Sequence, residues 1–456
     1  MRLPSRAPRL ERRRTVRAWL EEFHQAHADD ELAWIALPPL IVRLGHRTGS
    51  FRPRRLPPQR TEPLRRNRPT RPTSGWSLAG EHLFLALTEN QARAQEPIGA
   101  RFESRRVPEP TPTPAARWED LSRRAVVVAD RLLGVARRRS LELPAKPRLV
   151  YRHLISSARA LAACEAMLAA ATPRTVVIGS THAIPPRALA LAARRRGVPS
   201  IYVPHAPVIA DTRLVDLPVD FAALRGPAEV DLYRDLGANR SGLEAVGNPA
   251  VDLPGAPPEL RRDRPVAFAL PTDDDWALRR LVELVHAALG GDVIASPHPR
   301  ADRDAVRAIV PAEWKLWQGR TLELLRTGPP ALIQFSSGAG LEGLQLGIPT
   351  IDLRFPGERP NYPFLEDNRI SSAESGDDLR DVVAAARRFP EQKRDELIAL
   401  ARQWVCAGGD AAARDGAELL ARAAAAGPAT RPVWDAWRPP GRFRRLFSAL
   451  RQRAAV

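Results

Sequence analysis

The sequence predicts an α/β protein with two doubly wound parallel-sheet domains, and two features of the chain support this. From residue 150 onward, short β-branched apolar runs alternate with helical segments, which is typical of parallel sheets with helices on both faces. A breaker-rich stretch, DLPGAPPELRRDRP at 252–265, interrupts this alternation before it starts again. We therefore expect one layered domain on each side of that stretch.

The predicted elements follow in order along the two halves of the alternation. Before the breaker-rich stretch we expect strands at 175–180, 200–207, 221–226 and 244–249, and helices at 153–171, 188–199 and 228–237. After it we expect strands at 266–271, 292–297 and 313–318, and helices at 275–290, 304–310 and 321–328. An apolar run at 331–335, a Ser-Gly break, a short helix and a second apolar run precede late helices at 377–388 and 390–424.

The first 150 residues are less regular, and they do not predict an order of elements. We expect an amphipathic helix at 15–28, a Pro/Arg-rich loop or linker at 48–75 and a second Pro-rich patch at 107–116. Between the two Pro-rich stretches, EHLFLALTE at 81–89 fits either a strand or a helix. The predicted units are a first domain over 1–255 with Pro/Arg-rich insertions, a second domain over 256–425 and a basic tail over 426–456.

The net charge of +18 is concentrated at the two ends of the chain. Residues 1–150 carry a net charge of +14, residues 431–456 carry +6, and the body between them carries −2. This distribution argues against nucleic acid binding by the folded body. The tail RFRRLFSALRQRAAV alternates Arg with Phe and Leu at helical spacing, so it either binds an anionic membrane surface or packs on the body.

The cysteines and the apolar segments indicate a cytoplasmic protein, with a peripheral membrane contact if the tail binds lipid. Cys164 and Cys406 match no metal or redox spacing. The opening MRLPSRAPRLERRR has no apolar segment behind its charges, so no secretory signal is predicted. The most apolar segment, at 160–171, is too short to span a bilayer and contains Glu165.

Two polar loops of the second half are predicted at the carboxyl ends of strands, where open parallel sheets bind ligands. In SPHPRAD, His298 stands between prolines, so its ring is either a donor to a phosphate or a loop histidine held by a backbone carbonyl. In Ser336-Ser337-Gly338-Ala339-Gly340, hydroxyls and close-approaching glycines suit an anion, and the alternative is a Ser cap with turn glycines.

We expect these two loops to follow neighbouring strands and to form one phosphate site. Glu342 is predicted in the first turn of the next helix, where it either bonds a ribose hydroxyl pair or favours the helix dipole. Asp273, Asp274 and Asp275 open the second domain, and Thr272 followed by Asp275 favours a helix cap over a ligand site.

The order of these motifs resembles that of GT-B glycosyltransferases over residues 150–375. The His-Pro loop followed by SSG-x-G-x-E-x-x-x-x-G-x-P is similar to the donor domain of bacterial sialyltransferases, capsule Kdo transferases and CDP-glycerol glycerophosphotransferases. The nonhydrolysing UDP-GlcNAc 2-epimerases have a related layout. Gly247-Asn248-Pro249 resembles the family's linker, and GVPSIYVPHAP at 197–207 resembles its strand with His205, although Ala206 replaces the usual Gly.

The resemblance implies two Rossmann-like domains facing a cleft that binds a cytidine or uridine nucleotide-sugar. His298 would contact the donor phosphate, Ser336 and Ser337 with the amides of Gly338 to Gly340 would hold the remaining oxygens, and Glu342 would hold the ribose. Such donors would stabilise the leaving group's charge. The family typically needs no bound metal, the sequence shows no metal-ligand cluster, and we expect no cofactor.

The general base that takes the acceptor's proton is expected on the first domain. Candidates at strand ends are His182 in IGSTHAIPP, His205 in VPHAP and Asp211, and His182 is favoured because it follows its strand directly. The resemblance thus implies transfer of a sugar or polyol phosphate from a nucleotide-activated donor to a surface-polysaccharide or lipid-linked acceptor, of the kind found in capsule synthesis. The rival hypotheses are an epimerase of the same fold and a non-enzymatic module that binds membrane or nucleic acid.

Overall fold

The computed structural model describes most of the chain from residue 75 to residue 428 and a short piece before it. The described residues are 30–36, 40, 75–110, 112–138, 147–208, 217–235, 242–252, 255–271, 275–298, 301–335, 337–356, 360 and 362–428. The predicted helix at 15–28, the linker up to residue 74 and the basic tail lie outside these residues.

The first sheet has seven strands in the order β3-β1-β2-β4-β5-β6-β7. They are β1 Trp76–Ala79, β2 His82–Leu85, β3 Ser104–Arg105, β4 Thr175–Ile178, β5 Ser200–Tyr202, β6 Phe221–Leu224 and β7 Leu243–Ala245. Strands β2 and β4 to β7 are parallel, whereas β1 is antiparallel to β2 and β3. The ambiguous segment at 81–89 therefore contains a strand, and its pairing with β4 places its four buried residues in the sheet.

Helices cover both faces of this sheet. Those of the first part are α1 Glu89–Gly99, α2 Ala115–Arg138, α3 Pro147–Ala171, α4 Ile184–Arg195 and α5 Pro227–Asp235. Within α3, Arg148–Ala171 is long and apolar enough to cross a membrane by length and composition. Here α3 packs between α2 and α4, and its Glu165 pairs with Arg117 at 2.7 Å and with Arg195.

The second sheet has six parallel strands in the order β10-β9-β8-β11-β12-β13. They are β8 Val266–Ala269, β9 Val293–Ser296, β10 Lys315–Leu316, β11 Leu332–Gln334, β12 Thr350–Leu353 and β13 Ser371–Ala373. The chain moves outward from β8 to β10 and then continues at β11 on the other side of β8. The strand order thus reverses between β8 and β11, which is the point where doubly wound sheets bind ligands.

The helices of the second half again lie on both faces of their sheet. They are α6 Asp275–Leu289, α7 Arg303–Arg307, α8 Thr321–Leu325, α9 Ala339–Gln345, α10 Gly376–Arg387, α11 Arg394–Trp404 and α12 Gly409–Ala426. The helical region predicted at 390–424 is divided into α11 and α12. Val405 is extended, and Gly409 has a φ of +50°, so the helix cannot continue through 405–408.

Two chain crossings join the sheets, and they lie side by side. The chain passes to the second sheet after β7 and returns after α11, so that α12 packs on the first sheet. Asn248 N donates to Ala407 O at 2.9 Å, and Asn248 forms a bridge with Gly408. Gly247 has a φ of +107°, and a Cβ there would lie 2.4 Å from Ala407 O, so only glycine fits the crossing. The predicted α/β class with two Rossmann-like domains is confirmed, with the difference that the antiparallel β1 interrupts the parallel order of the first sheet. The two sheets and the paired crossings between them have the architecture of the GT-B fold.

Candidate functional site

The two predicted loops open onto the same edge of the second sheet. The histidine loop, residues 297–302, follows β9, and the serine loop, residues 335–338, follows β11. The expectation that their strands are neighbours is wrong, because β8 lies between β9 and β11. Two strand spacings separate the loops, or roughly 10 Å. The two loops therefore lie on either side of β8, next to the point where the strand order reverses, and do not contact each other directly as loops of adjacent strands would.

The serine loop is held in place by two buried polar side chains, Gln334 and Asp352, on the strands beneath it. Ser337 N donates to Gln334 Oε1 at 2.6 Å, and Gln334 Nε2 donates to Asp352 Oδ1 at 2.6 Å across β11 and β12. Both side chains are almost fully buried. Burial raises the pKa of Asp352, while its bonds to Arg354 and Gln334 act in the opposite direction. The loop therefore starts from a fixed position at the sheet edge.

Part of the loop's donor capacity is used inside the protein. Ser337 Oγ accepts from Ala339 N at 3.2 Å, and Ser337 O accepts from Gly340 N at 3.2 Å. The amide of Gly338 and the hydroxyl hydrogen of Ser337 donate to no acceptor within the described part of the chain. These two groups are the donors that the loop can offer to a ligand, and Ser336 lies outside the described residues.

The loop's two glycines have different surroundings. Gly340 is buried, and a Cβ there would lie 3.2 Å from Phe364 Cε2, so Gly340 allows close packing within the second half. Gly338 is half-buried, and a Cβ there would lie 3.3 Å from Pro207 Cδ in the segment after β5. The serine loop thus lies against the first sheet's carboxyl edge, and the site lies between the two sheets.

Glu342 and His298 complete the second sheet's side of this cleft. Glu342 is half-buried in the first turn of α9. Burial raises the pKa of its carboxyl, while the charges of Arg320, Arg225 and Arg326 act in the opposite direction. Its carboxylate forms no hydrogen bond with a described residue, and that leaves it available to a hydroxyl pair. His298 is half-buried, and its carbonyl accepts from Ala301 N at 2.8 Å in a tight turn.

The candidate bases lie on the first sheet's edge. His182 follows β4 and His205 follows β5, and these two strands are paired. His205 Nδ1 lies 2.7 Å from Gly179 O, so Nδ1 carries the hydrogen and Nε2 keeps its lone pair in the neutral ring. His182 Nδ1 lies 3.5 Å from Ser180 Oγ, which is a long contact. Asp211 and the Asp273–Asp274 pair lie outside the described residues.

A buried charged pair that the sequence does not predict lies on the same edge. Arg225 follows β6 and is 8% exposed, and Glu229 in the first turn of α5 is fully buried. Glu229 Oε2 accepts from Arg225 N at 2.9 Å, and Oε1 accepts from Val208 N at 3.0 Å. Burial raises the pKa of Glu229, while Arg225 and the two backbone bonds act in the opposite direction. An Arg directly after the apolar run FAAL was the only signal, and it is weak in a chain where 67 of 70 cations are Arg.

Comparisons with known proteins found distant similarity to solved structures only. No protein-family model and no curated protein sequence matches the chain. Among solved structures, UDP-GlcNAc 2-epimerase from Neisseria meningitidis bound to UDP-GlcNAc has 13% identity and a TM-score of 0.45, covering 59% of this chain and 82% of that chain.

Two transferases are similar to the same extent. The calicheamicin glycosyltransferase CalG4 has 17% identity and a TM-score of 0.41, covering 60% of this chain and 79% of that chain. The lipopolysaccharide outer core galactosyltransferase WaaB has 15% identity and a TM-score of 0.37, covering 60% of this chain and 82% of that chain. Since these TM-scores are below 0.5, the fold assignment rests on the strand order and the facing edges described above.

Proposed function

We propose that this protein is a glycosyltransferase that moves a sugar or polyol phosphate from a nucleotide-activated donor to a surface-polysaccharide or lipid-linked acceptor. The observation that carries the proposal is the contact of the serine loop with the segment after β5. This contact supports the proposal because it brings the segment that carries His205 next to the loop that would supply the anion donors. A transferase needs these two sets of groups on opposite sides of one cleft.

On the donor side, the Gly338 amide, the Ser337 hydroxyl and the His298 ring would bind phosphate oxygens. Because the nucleotide is the leaving group, fixed donors that stabilise its developing charge would also accelerate the reaction. Glu342 would accept from the ribose hydroxyls, and its raised pKa would fall once those hydroxyls bond the charged form. Cytidine and uridine are the bases that the sequence motifs favour.

On the acceptor side, His205 is the base that the geometry favours over His182. Its Nδ1 bond to Gly179 fixes the tautomer in which Nε2 can accept a proton. His205 also lies two residues before Pro207, which faces Gly338 of the serine loop. Metal independence, a cytoplasmic location and binding of the basic tail to an anionic membrane remain part of this proposal as predictions from the sequence.

A thermal-shift panel of CMP, CDP, UMP, UDP and GDP tests the donor site. We expect one base to raise the melting temperature of the wild type, and we expect Ser337→Ala to lose most of that shift. His205→Ala should keep the shift relative to its own melting temperature, because a base contacts the acceptor rather than the nucleotide. If no nucleotide at millimolar concentration shifts the wild type, the donor-site proposal fails. Loss of the shift in His205→Ala would instead move His205 to the donor site.

A further inference from the structure

Arg225 is a buried cation whose side chain has no hydrogen-bond or ion-pair partner among the described residues. The residue is 8% exposed, and its Nε is fully buried without a hydrogen-bond partner in the described part of the chain. Neither of its terminal nitrogens bonds or pairs with any described residue. A buried guanidinium without acceptors is costly, so proteins rarely keep one unless something else binds it.

Glu229 balances the charge of Arg225 without binding its guanidinium. Both oxygens of Glu229 accept from backbone amides, one from Arg225 itself and one from Val208. These two bonds fix the carboxylate at the start of α5, where it cannot turn to follow the guanidinium. Burial lowers the pKa of Arg225 and the charge of Glu229 acts in the opposite direction, and an arginine remains protonated at neutral pH. Its N–H groups are therefore available to an acceptor from outside the described residues.

Arg225 also lies where the two halves of the molecule meet. A Cβ on the next residue, Gly226, would lie 2.5 Å from Gln403 O of α11, so this strand end touches the second half. The charge of Arg225 acts on Glu342 in α9 and on Tyr362, both of the second half. The charges of three guanidinium groups, those of Arg225, Arg320 and Arg326, act on the carboxyl of Glu342.

We propose that Arg225 reaches across the cleft to bind the phosphate oxygens of the nucleotide, as the first sheet's contribution to the donor site. This inference rests on the proposed function and adds a specificity-determining residue to it. The guanidinium would donate two hydrogen bonds to one oxyanion, which a lysine ammonium cannot reproduce in that geometry. Nucleotide binding would thereby draw the two sheets together through one ligand.

Calorimetric titration of Arg225→Gln and Arg225→Lys with UDP, CDP, uridine, cytidine and pyrophosphate tests this inference. We expect Arg225→Gln to weaken binding of the preferred diphosphate by about 10- to 100-fold and to leave the matching nucleoside within about twofold. Arg225→Lys should fall between Arg225→Gln and the wild type. The matched control is Arg234→Gln on α5, whose side chain is 56% exposed and should bind every probe as the wild type does.

Each outcome separates the inference from the proposed function. Equal diphosphate affinity in Arg225→Gln and the wild type overturns the role of Arg225 and leaves the donor site standing. An equal loss of nucleoside and diphosphate binding indicates a structural role and also overturns it. If the wild type binds pyrophosphate through Arg225 but prefers no nucleotide, Arg225 is an anion-binding residue, but the nucleotide proposal and the inference that rests on it both fail. If the wild type binds none of the probes, both fail. Arg225→Lys keeps the test decisive if Arg225→Gln does not fold.

Discussion

The two edges of the cleft hold their polar groups in different ways. On the second sheet, a single segment from Gln334 to Glu342 carries the loop and the helix start, and the bonds within it join residues two or three positions apart. One further bond ties Gln334 to Asp352 on the neighbouring strand of the same sheet. On the first sheet, Arg225 and Glu229 sit between segments that come from β5 and from α11. One edge is built locally, whereas the other exists only when distant segments have packed together.

This difference predicts different sensitivities to substitution. The second edge should tolerate changes in its loop, because its anchor is a pair of buried side chains within one sheet. The first edge should be fragile, since its charged groups and its backbone depend on contacts between the two halves.

Gly226→Ala should have the largest effect on stability. The new Cβ would lie 2.5 Å from Gln403 O and 2.6 Å from Trp404 C, which are backbone atoms and cannot rotate away. We expect a loss of at least about 2 kcal/mol in the free energy of unfolding, measured by urea denaturation. Gly255→Ala is the matched control, because no atom lies within 4 Å of its Cβ. Equal stability of the two variants would contradict a rigid junction at the end of β6.

Glu229→Gln should cost about 1–3 kcal/mol of unfolding free energy. Both carboxylate oxygens accept from backbone amides, and an amide group replaces one acceptor with a donor. The N–H of Arg225 or of Val208 would then be buried and unsatisfied. Asp231→Asn, on the same helix with a side chain 70% exposed, should change stability by less than about 0.5 kcal/mol. An unchanged urea midpoint for Glu229→Gln would show that the buried carboxylate does not hold this edge together.

Glu342→Gln should have the smallest effect on stability, below about 1 kcal/mol, but it should change the pH dependence. Burial raises the folded-state pKa of Glu342 above its unfolded value of 4.5, so the folded protein binds the proton more readily. The wild type should therefore gain stability relative to Glu342→Gln as the pH falls from neutral through that folded-state pKa. Glu418→Gln, at an exposed position of α12, is the control. Parallel pH profiles for the wild type and Glu342→Gln would contradict a desolvated carboxylate at this position.

The same contrast explains how much of the molecule could be predicted from the sequence. The alternation of strands and helices after residue 150 could be predicted because the periodicity of apolar residues and the positions of Gly and Pro are local signals. The serine loop and Glu342 could be singled out for the same reason, since they lie within a few residues of each other. The order of β9, β8 and β11 could not, because strand pairing depends on the path of the whole chain.

Arg225 shows why the rest of the site was not found. Its importance depends on burial, and that burial is created by α11 and by the turn after β5, both distant in sequence. The sequence favoured His182 over His205, because only the three-dimensional path of β4 and β5 brings the carbonyl of Gly179 to His205. Because arginine is so frequent in this chain, a single Arg in the sequence does not indicate a functional site until its burial and its neighbours are known.

Hydrogen–deuterium exchange in the presence of a saturating nucleotide, chosen from the thermal-shift panel, is the most direct test of a single site shared by both sheets. We predict that the nucleotide slows exchange on both sheets simultaneously, in the segment 337–345 of the second sheet and in the segments 203–208 and 222–230 of the first. Protection confined to one sheet, or no protection at either edge, would contradict a nucleotide bound between them.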